Sequence, residues 1–150
     1  MRRQDRKNSE SESLAILAQA EYGFLAMRTT ENGGYGVPLN YVLWHNAIYF
    51  HCAGEGAKLE FLKANNTVSF CVVGKTEILP AEFGARYESA MVFGKAIEVE
   101  EAEKREALMR MVEKYSPGFV QEGRQYIDRY FDRVKVFKIS IDYISGKSHQ

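Results

Sequence analysis

The sequence predicts an α+β fold that is mainly β: a closed antiparallel barrel with helices packed against its outside. Three observations carry this. Apolar runs rich in Val, Ile, Phe and Tyr recur along the chain and read as about six strands. Most gaps between them are too short for the crossover that parallel pairing needs. Helical patterns are few, at the start, in one short central stretch and between residues 101 and 131. A chain of 150 residues that is 45% hydrophobic and 13% aromatic fits one domain, 1–150, with enough apolar side chains for a packed core.

Residues 1–7 form a charged arm. Ser9 and Glu12 have capping-box spacing, so a helix starts there and runs to about Ala20, with Leu14, Leu17 and Ala18 on one face. Residues 22–30 read as a strand, and Glu31, Asn32, Gly33 and Gly34 as its turn. Residues 35–44 read as a second strand; Pro38 removes a ladder donor and so belongs at an edge or a bulge. His45 and Asn46 turn the chain into a third strand, 47–53, with Ile48, Phe50 and Cys52 on one face and Tyr49 and His51 on the other. Residues 57–64 form a short helix that Asn65 and Asn66 end. Residues 67–73 are a strand, 74–84 a loop carrying Pro80, and 87–99 a long strand. Gly94 in that strand marks a bulge or a close backbone approach. Residues 101–115 are a helix, acidic at its start, with Leu108, Met111, Val112 and Tyr115 on one face. Ser116, Pro117 and Gly118 break it. Residues 119–131 form a further helix, 134–141 the final strand and 144–147 the tail.

Composition excludes several classes. Twenty basic and twenty acidic residues cancel, so no basic field supports a nucleic-acid or membrane-surface partner. The basic N-terminus is followed by no apolar segment, and no run is long enough to span a bilayer, so a cytoplasmic protein is expected. Cys52 and Cys71 lie in apolar runs and read as buried free thiols. His45 and His149 read as solvated, and three scattered histidines lack zinc-ligand spacing, so no metal is expected.

Four segments could carry chemistry. Gly54, Glu55, Gly56, Ala57 and Lys58 join a strand to a helix. Backbone N–H groups at a helix start, together with a lysine, suit a phosphate. An ordinary strand-to-helix turn with a solvated lysine is the other reading from spacing, and no Walker A pattern is present. His51 could donate to that phosphate or act as acid or base; a solvated rim histidine is the other reading. In Val37, Pro38, Leu39, Asn40 and Tyr41, a polar Asn sits among apolar residues, and the backbone beside Pro38 could pair with the edge of a planar heterocycle. The segment 86–96 mixes polar residues with the Gly94 kink and is otherwise an amphipathic strand. No nucleophile–base pair or carboxylate pair stands out, so a borrowed cofactor fits better than side-chain chemistry alone.

Taken in order, these segments resemble the pyridoxamine-phosphate-oxidase-like FMN-binding split-barrel family, closest to its nitroimidazole-resistance reductase branch. The likeness covers nearly the whole chain. It rests on Met1, Arg2 and Arg3 with Asp5 and Arg6, on 23–26, 37–41 and 48–53 with Gly56 and Lys58, on 87–96, and on 141–147. It implies an antiparallel split β-barrel with flanking helices, assembled as a homodimer with two FMN molecules at the interface. It implies that Lys58, Ala57 and the turn before them hold the FMN phosphate near Phe50, His51 and Cys52. Val37, Pro38, Leu39, Asn40 and Tyr41 would run along the flavin ring, and Tyr87, Ser89 and Met91 would come from the partner subunit. His51 would take part in the redox chemistry. The chain departs from true pyridoxamine phosphate oxidases in its tail, Ser145 to Gln150, which lacks their basic substrate-phosphate residues, so vitamin B6 oxidation is not expected.

The expected function is therefore an FMN-dependent oxidoreductase. It would pass electrons from NAD(P)H or another donor to a small acceptor, of which a nitroaromatic is one version. A flavin- or haem-binding carrier or sensor without turnover is the rival, because the fold also hosts such relatives. Trp44, Tyr87 and Phe93 are available as interface anchors.

Overall fold

The computed structural model describes residues 4–31 and 33–149. Met1, Arg2 and Arg3 of the predicted arm, Asn32 of the predicted turn and Gln150 of the tail lie outside the described residues. After a short 3-10 turn at Gln4–Arg6 come α1 (Glu10–Gln19), β1 (Gly23–Arg28), β2 (Gly34–Leu39), β3 (Val42–Trp44), β4 (Ala47–Ala53), α2 (Ala57–Ala64), β5 (Thr67–Leu79), β6 (Gly84–Val99), α3 (Glu101–Tyr115), α4 (Val120–Tyr130), β7 (Val134–Ser140) and β8 (Tyr143–Ser148). Every strand pairing is antiparallel. Strand order is β2-β1-β5-β6-β7-β4-β3, with β8 also on β6. The closed barrel read from strand count is thus split.

β6 spans the split. Its middle, Glu88 to Phe93, pairs with β8, and its end, Ala96 to Val99, pairs with β7. Gly94 stands where one partner gives way to the other. A Cβ there would lie 1.7 Å from the Ser140 carbonyl oxygen, so the close approach expected of this glycine is a backbone crossing.

Several local rules hold as read. Ser9 and Glu12 form both halves of the capping box. Pro38 lies on the edge strand β2, opposite Phe24. The strand at 47–53 and the helices at 57–64 and 101–115 match residue for residue. Four expectations are corrected. The predicted strand at 35–44 is two strands, β2 and β3, at opposite ends of the sheet path. The predicted loop at 74–84 is mostly strand: after a bulge between Val73 and Thr76, β5 pairs on with β6 through Thr76–Tyr87, Glu77–Arg86 and Ile78–Ala85. The tail at 144–147 is β8. The α1 face is set by Ser13, Ile16 and Leu17, and Ala18 is exposed.

Two apolar cores result. The larger fills the barrel with Leu25, Tyr41, Ile48, Phe50, Phe70 and Ile139 and is closed off by Leu17 of α1. The smaller lies between the outer face of β3, β4 and β7 and the helices α3 and α4, built on Val42, Tyr49, Leu108, Met111, Ile127 and Val136. Trp44, half-buried, packs on this second core, its ring 5.3 Å from that of Tyr49.

Candidate functional site

β4 is buried for four residues and then emerges: Ala47, Ile48, Tyr49 and Phe50 are buried, whereas His51 is exposed. His51 lies at the edge of the second core and lines a cleft of about 350 Å³ between β4 and the helices α3 and α4. Met111, Tyr115, Tyr126, Tyr130 and Asn40 contribute to its walls. His51 Nδ1 is 3.3 Å from Met111 Sδ. Water reaches the ring through the open side of the cleft, while protein packed round the rest of it disfavours imidazolium. That burial, and secondarily the Lys58 charge, hold the His51 pKa below its ordinary value. The ring is therefore neutral at pH 7.

Lys58 is half-buried in the first turn of α2. The residue before that helix, Gly56, has φ 126°, a conformation that side chains other than hydrogen rarely adopt. No side chain caps the helix. An incoming anion would meet the positive end of α2 and the Lys58 ammonium together. The Lys58 charge also reaches Cys52, pulling its thiol pKa down against a larger upward push from burial. His51, Cys52 and Lys58 thus form one electrostatic neighbourhood.

The remaining predicted residues are distributed as follows. Asn40 is exposed at the cleft, and its Nδ2 donates to the Glu21 carbonyl at 3.3 Å. Tyr41 is fully buried: its ring packs edge-on against Phe70 at 4.9 Å, and its hydroxyl donates to the Leu17 carbonyl. Phe50 is fully buried and stacked on Phe137 at 5.5 Å. Toward any ligand these two residues offer backbone, not side chain. Val37 and Leu39 are half-buried against the larger core, Pro38 is exposed on the edge strand, and Ala57 is exposed at the start of α2. Tyr87, Ser89 and Met91 lie on β6, away from this cleft. Tyr87 lines a separate groove with Arg86, Lys75 and His149, and Lys147 Nζ is 3.2 Å from its hydroxyl.

The exposed face of the sheet carries a row running Pro38, Phe24, Cys71, Met91, Ser145, and beside it a row running Gly36, Ala26, Ser69, Phe93, Tyr143. Phe24, Met91, Phe93 and Tyr143 are all large, apolar or aromatic, and exposed. Such a patch is a candidate contact surface.

Sequence reasoning missed the helical side of the cleft. The available signal was Tyr126 and Tyr130, spaced i, i+4 on a helix whose only buried residue is Ile127. It also missed Lys114, whose Nζ donates to the carbonyls of Ala20 at 2.8 Å and Tyr41 at 3.1 Å and lies 4.0 Å from the Tyr41 ring centre. Among the described residues no group of three or more His, Cys, Asp or Glu could hold a metal ion, and no helix is long and apolar enough to cross a membrane.

A family profile described as pyridoxamine 5'-phosphate oxidase matches residues 9–148. No curated protein matches significantly. Among solved structures, a candidate 5-nitroimidazole antibiotic resistance protein of Bacteroides thetaiotaomicron is 28% identical, with TM-score 0.74, over 93% of this chain and 84% of that one. A FAD-binding protein of Mesorhizobium loti is 22% identical, with TM-score 0.67, over 97% of this chain and 98% of that one. A flavocytochrome of Azotobacter vinelandii is 18% identical, with TM-score 0.85, over 100% of this chain and 72% of that one. The last two show the fold alone.

Proposed function

The chain belongs to the pyridoxamine 5'-phosphate oxidase family, and from that premise we propose that it is an FMN-dependent oxidoreductase acting on a small aromatic acceptor. The observation that carries this is the anion niche at the start of α2. Gly56 in its left-handed conformation, an uncapped helix end and Lys58 stand together, beside a neutral histidine on the adjoining strand. These residues fit a phosphate-bearing cofactor: Lys58 and the backbone at Ala57 would hold the phosphate, and Val37 to Tyr41 would offer backbone along the ring. Bound flavin would supply the electron chemistry that this side-chain set lacks.

The chain's own tasks are binding, orientation and exclusion of water. His51, neutral and placed between the niche and the cleft, accepts or holds a proton beside the reacting groups. In this reading the functional unit is a homodimer. Phe24, Met91, Phe93 and Tyr143 give it an apolar contact face, and Tyr87, Ser89 and Met91 reach the flavin of the partner subunit. Likeness to the Bacteroides resistance protein favours a nitroaromatic acceptor, and NAD(P)H is the proposed donor.

The test is titration of FMN by quenching of its fluorescence, followed by anaerobic NAD(P)H oxidation with a nitroaromatic present. Saturable FMN binding and acceptor-dependent NAD(P)H loss are expected. His51→Ala should keep FMN affinity and lose turnover. Tight FMN binding without turnover with any donor would assign a carrier role instead.

A further inference from the structure

We propose that the cleft between β4, α3 and α4 is a binding site for a small, uncharged, planar aromatic compound that carries an N–H or O–H donor. The volume, about 350 Å³, lies at the small end of ligand pockets and suits one or two fused rings. No carboxylate and no cationic side chain is among the residues lining it, so it offers no counter-charge to an ionised ligand. Its walls combine aliphatic side chains with aromatic rings and a thioether. The rings of Tyr126 and Tyr130 lie 4.6 Å apart at 45°, Tyr115 stands nearby, and Met111 forms part of the floor. Flat aromatic faces and a polarisable sulfur favour a planar guest.

The donor requirement follows from His51. A thioether sulfur has no hydrogen, so the 3.3 Å contact with Met111 Sδ is a hydrogen bond only if Nδ1 carries the proton. Nε2 is then the unprotonated nitrogen, and it finds no hydrogen-bond partner among the described residues. Asn40 at the mouth gives one Nδ2 hydrogen to the Glu21 carbonyl and keeps a second, so it can meet a guest with a donor or with its carbonyl oxygen. The Tyr115 hydroxyl is already taken up between the Tyr41 N–H, the Tyr41 carbonyl and the Glu21 carbonyl. Asn40 and the Ser116, Tyr126 and Tyr130 hydroxyls can serve a guest in either sense, whereas His51 Nε2 can only accept, and it is this atom that favours a ligand that donates. Identifying that ligand with the electron acceptor rests on the flavin reading above; the binding site does not.

The test uses 2-naphthol, neutral at pH 7.5, against its methyl ether, which keeps the rings but has no donor. Binding of each is followed by probe fluorescence on flavin-free and on FMN-saturated protein. 2-Naphthol should bind about 3- to 10-fold tighter than the ether, the range of one net hydrogen bond. His51→Phe should remove that preference while both probes still bind, and His51→Gln, which retains an acceptor, should restore part of it. Tyr126→Ala, on an exposed residue, should weaken both probes alike. The proposal is overturned if 2-naphthol fails to bind at millimolar concentration, if the two probes bind equally to the unmodified protein, if His51→Phe keeps the preference, or if FMN competes with 2-naphthol. FMN binding is measured in parallel. Naphthol binding without FMN binding would overturn the flavin reading and leave the cleft; FMN binding without naphthol binding would do the reverse.

Discussion

Replacing Lys58 by Ala tests the anion niche quantitatively. Two features there attract a phosphate, and their magnitudes differ. A charge-assisted hydrogen bond from a lysine contributes about 1.5–3 kcal/mol. The positive end of a short helix contributes about 0.3–1 kcal/mol. Lys58 is half-buried, so it is only partly screened, and it is the larger of the two. Its removal should therefore weaken FMN binding about 10- to 150-fold, while the helix end left behind holds back only about 2- to 5-fold. The loss should shrink as salt is added. A second consequence appears at His51. Its pKa is lowered first by burial and second by Lys58, so Lys58→Ala should raise it while leaving it below the ordinary histidine value. Fluorescence titration with FMN reads the first effect, and the His51 ring proton shifts in NMR read the second. An FMN affinity within about twofold of the unmodified protein would refute the niche, and a His51 pKa that stays put would refute the proximity of the two side chains.

Three other outcomes are expected. Gly94→Ala places a Cβ 1.7 Å from the Ser140 carbonyl oxygen, where both groups are backbone and neither can swing aside. The expected cost is about 3 kcal/mol or more, lowering the melting temperature by roughly 6–12 °C, whereas Gly118→Ala, with open space around it, should change it little; equal melting temperatures would sink the crossing described for β6. Burial lowers the Lys114 pKa to about 8. The folded state then sheds this proton before the unfolded state does, so stability relative to Lys114→Met should rise as pH goes from about 8 to 10.5. A fall over that window in chemical denaturation would mean that the two carbonyls and the Tyr41 ring outweigh desolvation. Phe93→Glu puts a charge on the exposed sheet face beside Tyr143 and should convert the proposed homodimer to monomer in sedimentation; a variant that stays dimeric would move the interface elsewhere.

What could be read from the chain follows the range of the interactions. The capping box at Ser9 and Glu12, the edge position of Pro38, the 47–53 strand and the acidic start of α3 are local rules, and they hold. Residues 74–79 looked like loop because Gly74, Lys75, Thr76 and Glu77 carry no strand-forming pattern; cross-strand partners on β6 hold them extended. The tail became β8 for the same reason, since its partners lie some fifty residues earlier on β6. On the site, the strand-to-helix turn with Lys58 was legible because glycines and a lysine next to a helix start are a local signal. The cleft was not. Leu108, Met111 and Tyr115 read as one helix face, and only the packing of α3 and α4 beside β4 leaves a space next to His51.

The most direct measurement is the visible spectrum of the purified protein, followed by release and identification of whatever is bound. The account predicts the two absorption bands of oxidised flavin, with FMN in the released fraction at one per chain. A colourless protein that also fails to take up added FMN would contradict it, and a haem Soret band without flavin would contradict it as plainly.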